Sequence, residues 1–225
     1  MAEGATITLP QSDYIGLHPH AVVCRIWPAR PELMLVAVPL MKEQLDDRNE
    51  GALDLLVLDS RTLHVTHRLR LDDAMSDDAI RIRSVAFDTA RYRLAPDKMA
   101  FGLRLSLEGS SRANPFEEVT LRLYAIEGDR LVPVLDRIVV RQNAGEWDTM
   151  CSGEFEKTTR TLSMDSRTHK GAADIVVTEN VLYTVSKVEN GDQCRQYETS
   201  RDPAKIRLTY DGSQYVVPGA LKGLK

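Results

Sequence analysis

The chain has 225 residues, with 29 basic and 33 acidic side chains and a formal net charge of −4 at pH 7. Contacts to nucleic-acid phosphates need a clustered basic surface, so this balance argues against a nucleic-acid partner. The longest apolar run, residues 33–41, is about half of what a transmembrane helix requires and contains Pro39, so no transmembrane segment is expected.

The first part of the chain, residues 14–72, predicts a unit of four strands. Apolar and alternating segments indicate strands over residues 21–27, 33–41, 53–58 and 63–71. The segment 41–51 is strongly polar and is expected to form one or two helical turns or a surface loop. A further short edge strand is predicted at residues 6–9, where Pro10 ends it.

The second part, residues 80–142, gives the clearest pattern in the chain. It predicts consecutive strands over residues 84–94, 98–108, 118–126 and 130–140. In the third strand, Val119, Leu121, Leu123 and Ala125 alternate with Thr120, Arg122 and Tyr124, which is typical of a strand with one buried and one exposed face. Gly128 follows at once and favours a tight hairpin turn, because glycine adopts positive φ without strain.

The third part, residues 146–218, predicts strands over residues 153–162, 172–178, 181–188, 195–199 and 205–210. The dipeptide Asp211-Gly212 is a strong hairpin signal and closes this unit. The tail, residues 219–225, is expected to be loosely held.

These patterns predict one all-β domain, residues 1–225, of about twelve antiparallel strands. The three parts form three four-strand meander units, arranged like a propeller or as a β-sandwich. Corresponding segments recur at a spacing of about 66 residues, which is long for a propeller blade, and chance alignment of strand patterns explains the recurrence equally well.

Cysteine usage bears on the compartment. Cys151 and Cys194 lie 43 residues apart in polar, turn-rich sequence, and we predict a disulfide between them. A bond closing such a loop contributes roughly 4 kcal/mol in the chain-entropy model. The alternative is that all three cysteines, including Cys24 in a predicted strand, are reduced thiols of a cytosolic protein. The disulfide predicts a periplasmic or otherwise exported protein.

The run from residue 72 to residue 78 contains four carboxylates, those of Asp72, Asp73, Asp77 and Asp78. We predict that this acidic run belongs to a partner-binding edge. The alternative is a calcium site, but the spacing is wrong for an EF-hand, and neither a glycine at a sharp turn nor a closing glutamate is present.

No pattern indicates a catalytic site. His18 and His20 flank Pro19 and would need a third ligand to hold zinc, and nothing in the sequence nominates one. Cys24 with these histidines, or Ser110 and Ser111, are the nearest candidates for a nucleophile, and none has a recognisable motif around it. No cofactor and no metal are expected, and an enzyme is less favoured than a binding protein.

The segment Gly171-Ala172-Ala173-Asp174-Ile175-Val176-Val177, with Tyr210-Asp211-Gly212-Ser213-Gln214-Tyr215 further on, resembles the endings of uncharacterised exported bacterial β-proteins with integrin-like or propeller-like repeats. The resemblance covers about a quarter of the chain. It implies an exported, β-rich protein, and it transfers no site, because the Asp-x-Asp-Gly run that binds calcium in such repeats is missing here.

From these observations we expect a non-catalytic exported bacterial protein that binds another protein, as an inhibitor or an immunity-type partner. The alternative is a cell-envelope hydrolase or a carbohydrate-binding protein. The sequence leaves the oligomeric state open.

Overall fold

The structure is a computed structural model and describes residues 21–45 and 48–224. Within these ranges it contains twelve β-strands and a single 3₁₀ turn at Gly219–Leu221, so the predicted all-β class and the predicted number of strands are confirmed. The strands are β1 (Val23–Ile26), β2 (Leu33–Gln44), β3 (Asn49–Asp59), β4 (Val65–Leu71), β5 (Ile80–Ala95), β6 (Lys98–Gly109), β7 (Phe116–Glu127), β8 (Arg130–Trp147), β9 (Gly153–His169), β10 (Ala172–Glu189), β11 (Gln193–Ser200) and β12 (Ala204–Leu208).

The strands form two antiparallel sheets in which most neighbours in space are also neighbours in sequence. Sheet A has the order β1-β2-β3-β4, and sheet B has the order β11-β10-β9-β8-β7-β6-β5, with β12 also paired to β10. Sheet B is not closed into a barrel. Because β8 pairs with β9, the second and third predicted units share one sheet and are not separate propeller blades.

One hydrophobic core lies between sheet A and strands β5 to β8. Apolar side chains of sheet A, including the buried Trp27 and Leu55, meet Ile82 and Phe101 from sheet B. The rings of Trp27 and Phe101 are in edge-to-face contact, with their centroids 5.2 Å apart. Aromatic pairs in this arrangement add to the free energy that burial alone supplies.

The second core lies on the opposite face of β7 and β8. There Leu123 and Ile138 pack against Ile175 of β10 and Leu208 of β12. The predicted inner face of β7 is confirmed, since all four of its alternating apolar side chains are buried. The prediction that its other face is exposed is wrong for Thr120 and Tyr124, which are 4% and 1% exposed; Tyr124 packs in the core shared with sheet A.

Three other local predictions differ from the structure. The polar segment 41–51 forms no helical turn in its described part, because β2 runs on to Gln44 and β3 begins at Asn49, and these two residues pair. The two strands predicted over residues 172–188 are one continuous strand, β10. The predicted edge strand at residues 6–9 lies outside the described residues.

The C-terminal tail is docked, in contrast to the prediction that it is loosely held. Leu221 lies in the second core, and the backbone N–H of Leu224 donates to the carboxylate of Glu118 at 3.3 Å. Gly223 has φ +68°, and a Cβ at this position would lie 2.3 Å from Val139. Only glycine allows the chain to approach β8 this closely.

Candidate functional site

The predicted acidic run lies in the connection between the two sheets. Asp77 is turned inward, with its side chain 2% exposed. Its carboxylate accepts hydrogen bonds from Asn49 Nδ2 at 2.7 Å, from Arg81 at 3.0 Å and from the backbone N–H of Ile82 at 2.8 Å. Asp77 therefore joins β3 to β5, with both of its carboxylate oxygens accepting hydrogen bonds.

The other three carboxylates of the run are exposed. Asp72 pairs with Arg70 at 3.0 Å, and Asp73 adopts a left-handed backbone conformation with φ 56°. A role of Asp72, Asp73, Asp77 and Asp78 in partner binding stays a prediction. Among the described residues, no group of three or more His, Cys, Asp or Glu side chains is placed to hold a metal ion.

The predicted disulfide between Cys151 and Cys194 is present, with a Cα to Cα distance of 5.6 Å. It links the turn between β8 and β9 to the start of the edge strand β11. The carboxylate of Asp148 shapes that turn by accepting the backbone N–H groups of Met150 and Cys151, each at 2.8 Å. These hydrogen bonds, that of Met150 foremost, lower the pKa of Asp148.

The disulfide holds together the part of sheet B that extends beyond the two cores. We call this part the stapled end: residues 141–147 of β8, 153–160 of β9, 181–189 of β10 and 193–200 of β11. Its strands run in regular register, with Gly145 opposite Phe155 and Trp147 opposite Gly153. A Cβ at Gly145 would lie 2.5 Å from the ring of Phe155, so the aromatic side chain packs directly over the glycine backbone.

One face of the stapled end forms an open groove of about 1050 Å³. Strand pairing places Glu146, Glu154 and Val185 in one row across this face. Glu156 and Tyr183 form the next row. The floor of the groove is therefore acidic where β8 and β9 contribute, while β10 contributes Tyr183 and Val185 and, at the end of the row, the cation Lys187.

The carboxylates of the groove are not neutralised. Glu146 and Glu154 stand directly opposite each other on neighbouring strands, and like charges in this arrangement are destabilising. Neither has an ion-pair partner among the described residues. Burial, together with the negative charge of Glu156, raises the pKa of Tyr183. A positively charged group bound here would relieve the repulsion.

The opposite face of the stapled end carries a smaller groove of about 460 Å³. Pro115, Trp147, Phe155 and the disulfide give it a mostly apolar lining. Met150 at its rim is 87% exposed. Ten large hydrophobic side chains are exposed in the described part of the chain, and four of them belong to the stapled end or its turn: Met150, Val185, Val188 and Tyr197. Val185 and Tyr197 lie on the face of the larger groove, whereas Val188 lies on the face of the disulfide.

The other candidates from the sequence are not brought together. His18 and His20 lie outside the described residues. Cys24 is an exposed free thiol on β1. His67 contacts the carbonyl oxygen of Gly128 through Nε2 at 3.2 Å, and Ser111 accepts the backbone N–H of Asn114 at 3.0 Å. These contacts are structural.

Sequence reasoning missed the groove because Val185 of β10 lies 31 positions after Glu154 and 39 after Glu146, and only the register places the three on one face. The one local signal was the charged alternation in Glu154-Phe155-Glu156, within the predicted strand 153–162. It predicts the faces of β9 but not which strands lie beside it.

No family model, no curated protein and no solved structure matches this chain. In the described part of the chain, no helix has the length and apolar character needed to span a membrane.

Proposed function

We propose that the protein is a non-catalytic exported bacterial protein that binds another protein, as an inhibitor or an immunity-type partner, through the groove of the stapled end. The observation that carries this proposal is the floor of the groove, which is acidic on β8 and β9 and presents Tyr183 and Val185 on β10, where the cation Lys187 is paired with Glu189 at 3.1 Å. A partner segment that presents basic and apolar side chains together would match both halves.

Export is supported by the disulfide. Such bonds persist in oxidising compartments and are rare in the cytosol of mesophiles. The bond between Cys151 and Cys194 also fixes the exposed end of the sheet, which lies outside both hydrophobic cores. A binding surface held rigid before the encounter loses less conformational entropy when it binds.

Binding is favoured over catalysis by the exposure of the carboxylates. Glu146, Glu154 and Glu156 are all open to solvent. A carboxylic acid that donates a proton near neutral pH needs a desolvated setting to raise its pKa, and a reaction site needs a means of excluding water. An open groove of this kind suits the attraction of a cationic partner.

The alternative, a cell-envelope hydrolase or a carbohydrate-binding protein, has one observation in its favour. Two opposed carboxylates, those of Glu146 and Glu154, lie in one groove with Tyr183. Paired carboxylates act on glycosidic bonds. Hydrolysis of cell-wall polysaccharide that is lost on Glu154→Gln would favour this alternative over protein binding.

The test uses a synthetic peptide of alternating lysine and valine as a probe of the groove. Trp147 follows Glu146 on β8 and borders the groove from the opposite face of the sheet, whereas Trp27 is buried in the first core, so a change in emission on titration reports on Trp147. We expect a saturable change that weakens as salt rises, because the contacts are charge pairs at the surface.

The double variant Glu146→Gln with Glu154→Gln should abolish that change. The matched control is the double variant Asp97→Asn with Asp129→Asn. Both residues are exposed and lie away from the stapled end, and replacing them removes two negative charges, as the groove variant does. Equal binding by the two double variants, or no emission change at millimolar peptide, would contradict the proposal.

A further inference from the structure

Within residues 21–45 and 48–224, strand β11 is an edge with one neighbour. It is the last strand of sheet B in the order of pairing, and among these residues it pairs only with β10. All eight of its residues are exposed. In an antiparallel ladder, every second residue of an edge strand directs its N–H and C=O groups away from the sheet. β11 therefore presents a row of free backbone hydrogen-bonding groups.

β11 also lacks the usual features that protect an edge. Proteins block exposed edges with lysine, proline, bulges or very short strands. β1 has only four residues, and the register of β5 against β6 is broken at three places. β11 contains neither lysine nor proline, and its register with β10 has no shift over eight pairs.

The edge is held in place from both of its faces. The disulfide fixes Cys194 on one face. On the other, the Tyr197 hydroxyl donates to the Glu189 carboxylate at 2.8 Å, and Arg195 pairs with the same carboxylate at 3.7 Å. A strand ordered in advance pays little entropy when another strand pairs with it.

We propose that a second copy of this chain adds to the sheet at β11, so that two β11 strands pair antiparallel about a two-fold axis centred on Gln196. An antiparallel pair of identical strands requires an axis perpendicular to the sheet, and each residue then meets one on the same face. With Gln196 opposite its own copy, Arg195 lies opposite Tyr197 of the second copy and Glu198 lies opposite Cys194.

The charges of β11 fit this occupant. Its two charged side chains are Arg195 and Glu198, so the strand is neutral. In the proposed register no like charges face each other, and each guanidinium meets the ring of Tyr197, a favourable contact for a cation. The same axis puts the grooves of both copies on one side of a continuous sheet, next to each other.

The dimer does not depend on what the groove binds. Its test is the mass of the whole protein in solution, measured by sedimentation equilibrium over about a hundredfold range of concentration. We expect the mass to rise from 25.2 kDa toward twice that value. A mass of 25.2 kDa at every concentration would overturn the proposal, and the strand that pairs with β11 would then have to come from a different protein.

Two variants test the register. Gln196→Lys and Gln196→Glu each place like charges directly across the axis, and each alone should stay monomeric. An equimolar mixture of the two should dimerise, because opposite charges then face each other. Gln214→Lys, an exposed substitution in the turn after β12, is the control and should dimerise like the wild type.

Melting temperatures equal to that of the wild type, measured at a concentration where all of the proteins are monomeric, would show that any loss of dimer does not come from unfolding. A dimer that forms equally well in Gln196→Lys would overturn the proposal, as would a mixture of the two Gln196 variants that remains monomeric. If Glu154→Gln loses peptide binding but still dimerises, binding in the groove and pairing at β11 are independent of each other.

Discussion

Replacement of Tyr124 by alanine tests whether sheet A covers the outer face of β7. The Tyr124 ring is 1% exposed, and its centroid lies 6.0 Å from that of Phe101 in the first core. Truncation of a buried aromatic side chain to alanine costs about 3–5 kcal/mol, because transfer free energy is lost and a cavity remains. That is a large part of the stability of a typical domain.

The matched control is Arg122→Ala, two residues away on the same face. The Arg122 side chain is 31% exposed and pairs with Asp136 at 3.7 Å. An exposed pair of this kind contributes about 1 kcal/mol or less. Leu123→Ala, on the opposite face, should cost about 2–5 kcal/mol because that side chain is buried in the second core.

The assay is urea denaturation followed by the emission of Trp27, which lies in the same core as Tyr124. The midpoint of Tyr124→Ala should fall well below that of Arg122→Ala, with similar slopes. Equal midpoints for these two variants would refute the packing of sheet A on β7, because the face would then be open to solvent.

Four other outcomes are expected. A thiol titration of the protein, denatured without reductant, should find one free thiol among the three cysteines; three free thiols would contradict the disulfide. In thermal melts, Asp77→Asn should lower the stability of the fold by about 1–3 kcal/mol, because Asp77 accepts buried hydrogen bonds. The exposed variant Asp73→Asn should melt close to the wild type. Gly223→Ala should lower the melting temperature by undocking the tail. Burial raises the pKa of Glu118, so the folded state binds the proton more tightly than the unfolded state does. The wild type should therefore gain stability relative to Glu118→Gln as the pH falls from 7 toward 4.5. A difference in stability between the two proteins that stays constant over this pH range would contradict the prediction.

The strands themselves were predictable where local signals agree. In residues 80–142, alternation and the Gly128 turn placed β5, β6 and β7 within four residues of their ends and the start of β8 correctly, while β8 continues seven residues beyond the predicted end at residue 140. The disulfide was predictable because polar sequence around Cys151 and Cys194 does not suit buried thiols. These signals are carried by residues next to one another in the chain.

What the sequence could not predict depends on packing between distant segments. Glu179-Asn180 looked like a break between strands, yet β10 continues there because Glu179 is paired with Arg160 of β9 at 2.7 Å. Tyr124 looked exposed because nothing in β7 indicates that a second sheet lies above it. The tail looked loose because its binding group, Glu118, is more than a hundred residues upstream.

The acidic run and the groove show the same limit for the site. Four carboxylates in seven residues are visible in the sequence, whereas the inward turn of Asp77 is decided by Asn49 and Ile82 from two different strands. The carboxylates of Glu146 and Glu154 are ordinary in sequence and become a pair only through the β8 to β9 register.

The most direct test of partner binding at the stapled end is hydrogen exchange of the protein with and without the lysine–valine peptide. We predict slower exchange in residues 153–157 and 183–187, which line the groove, and no change in residues 72–78. Slower exchange confined to residues 72–78 would contradict the account and place the binding surface on the acidic run.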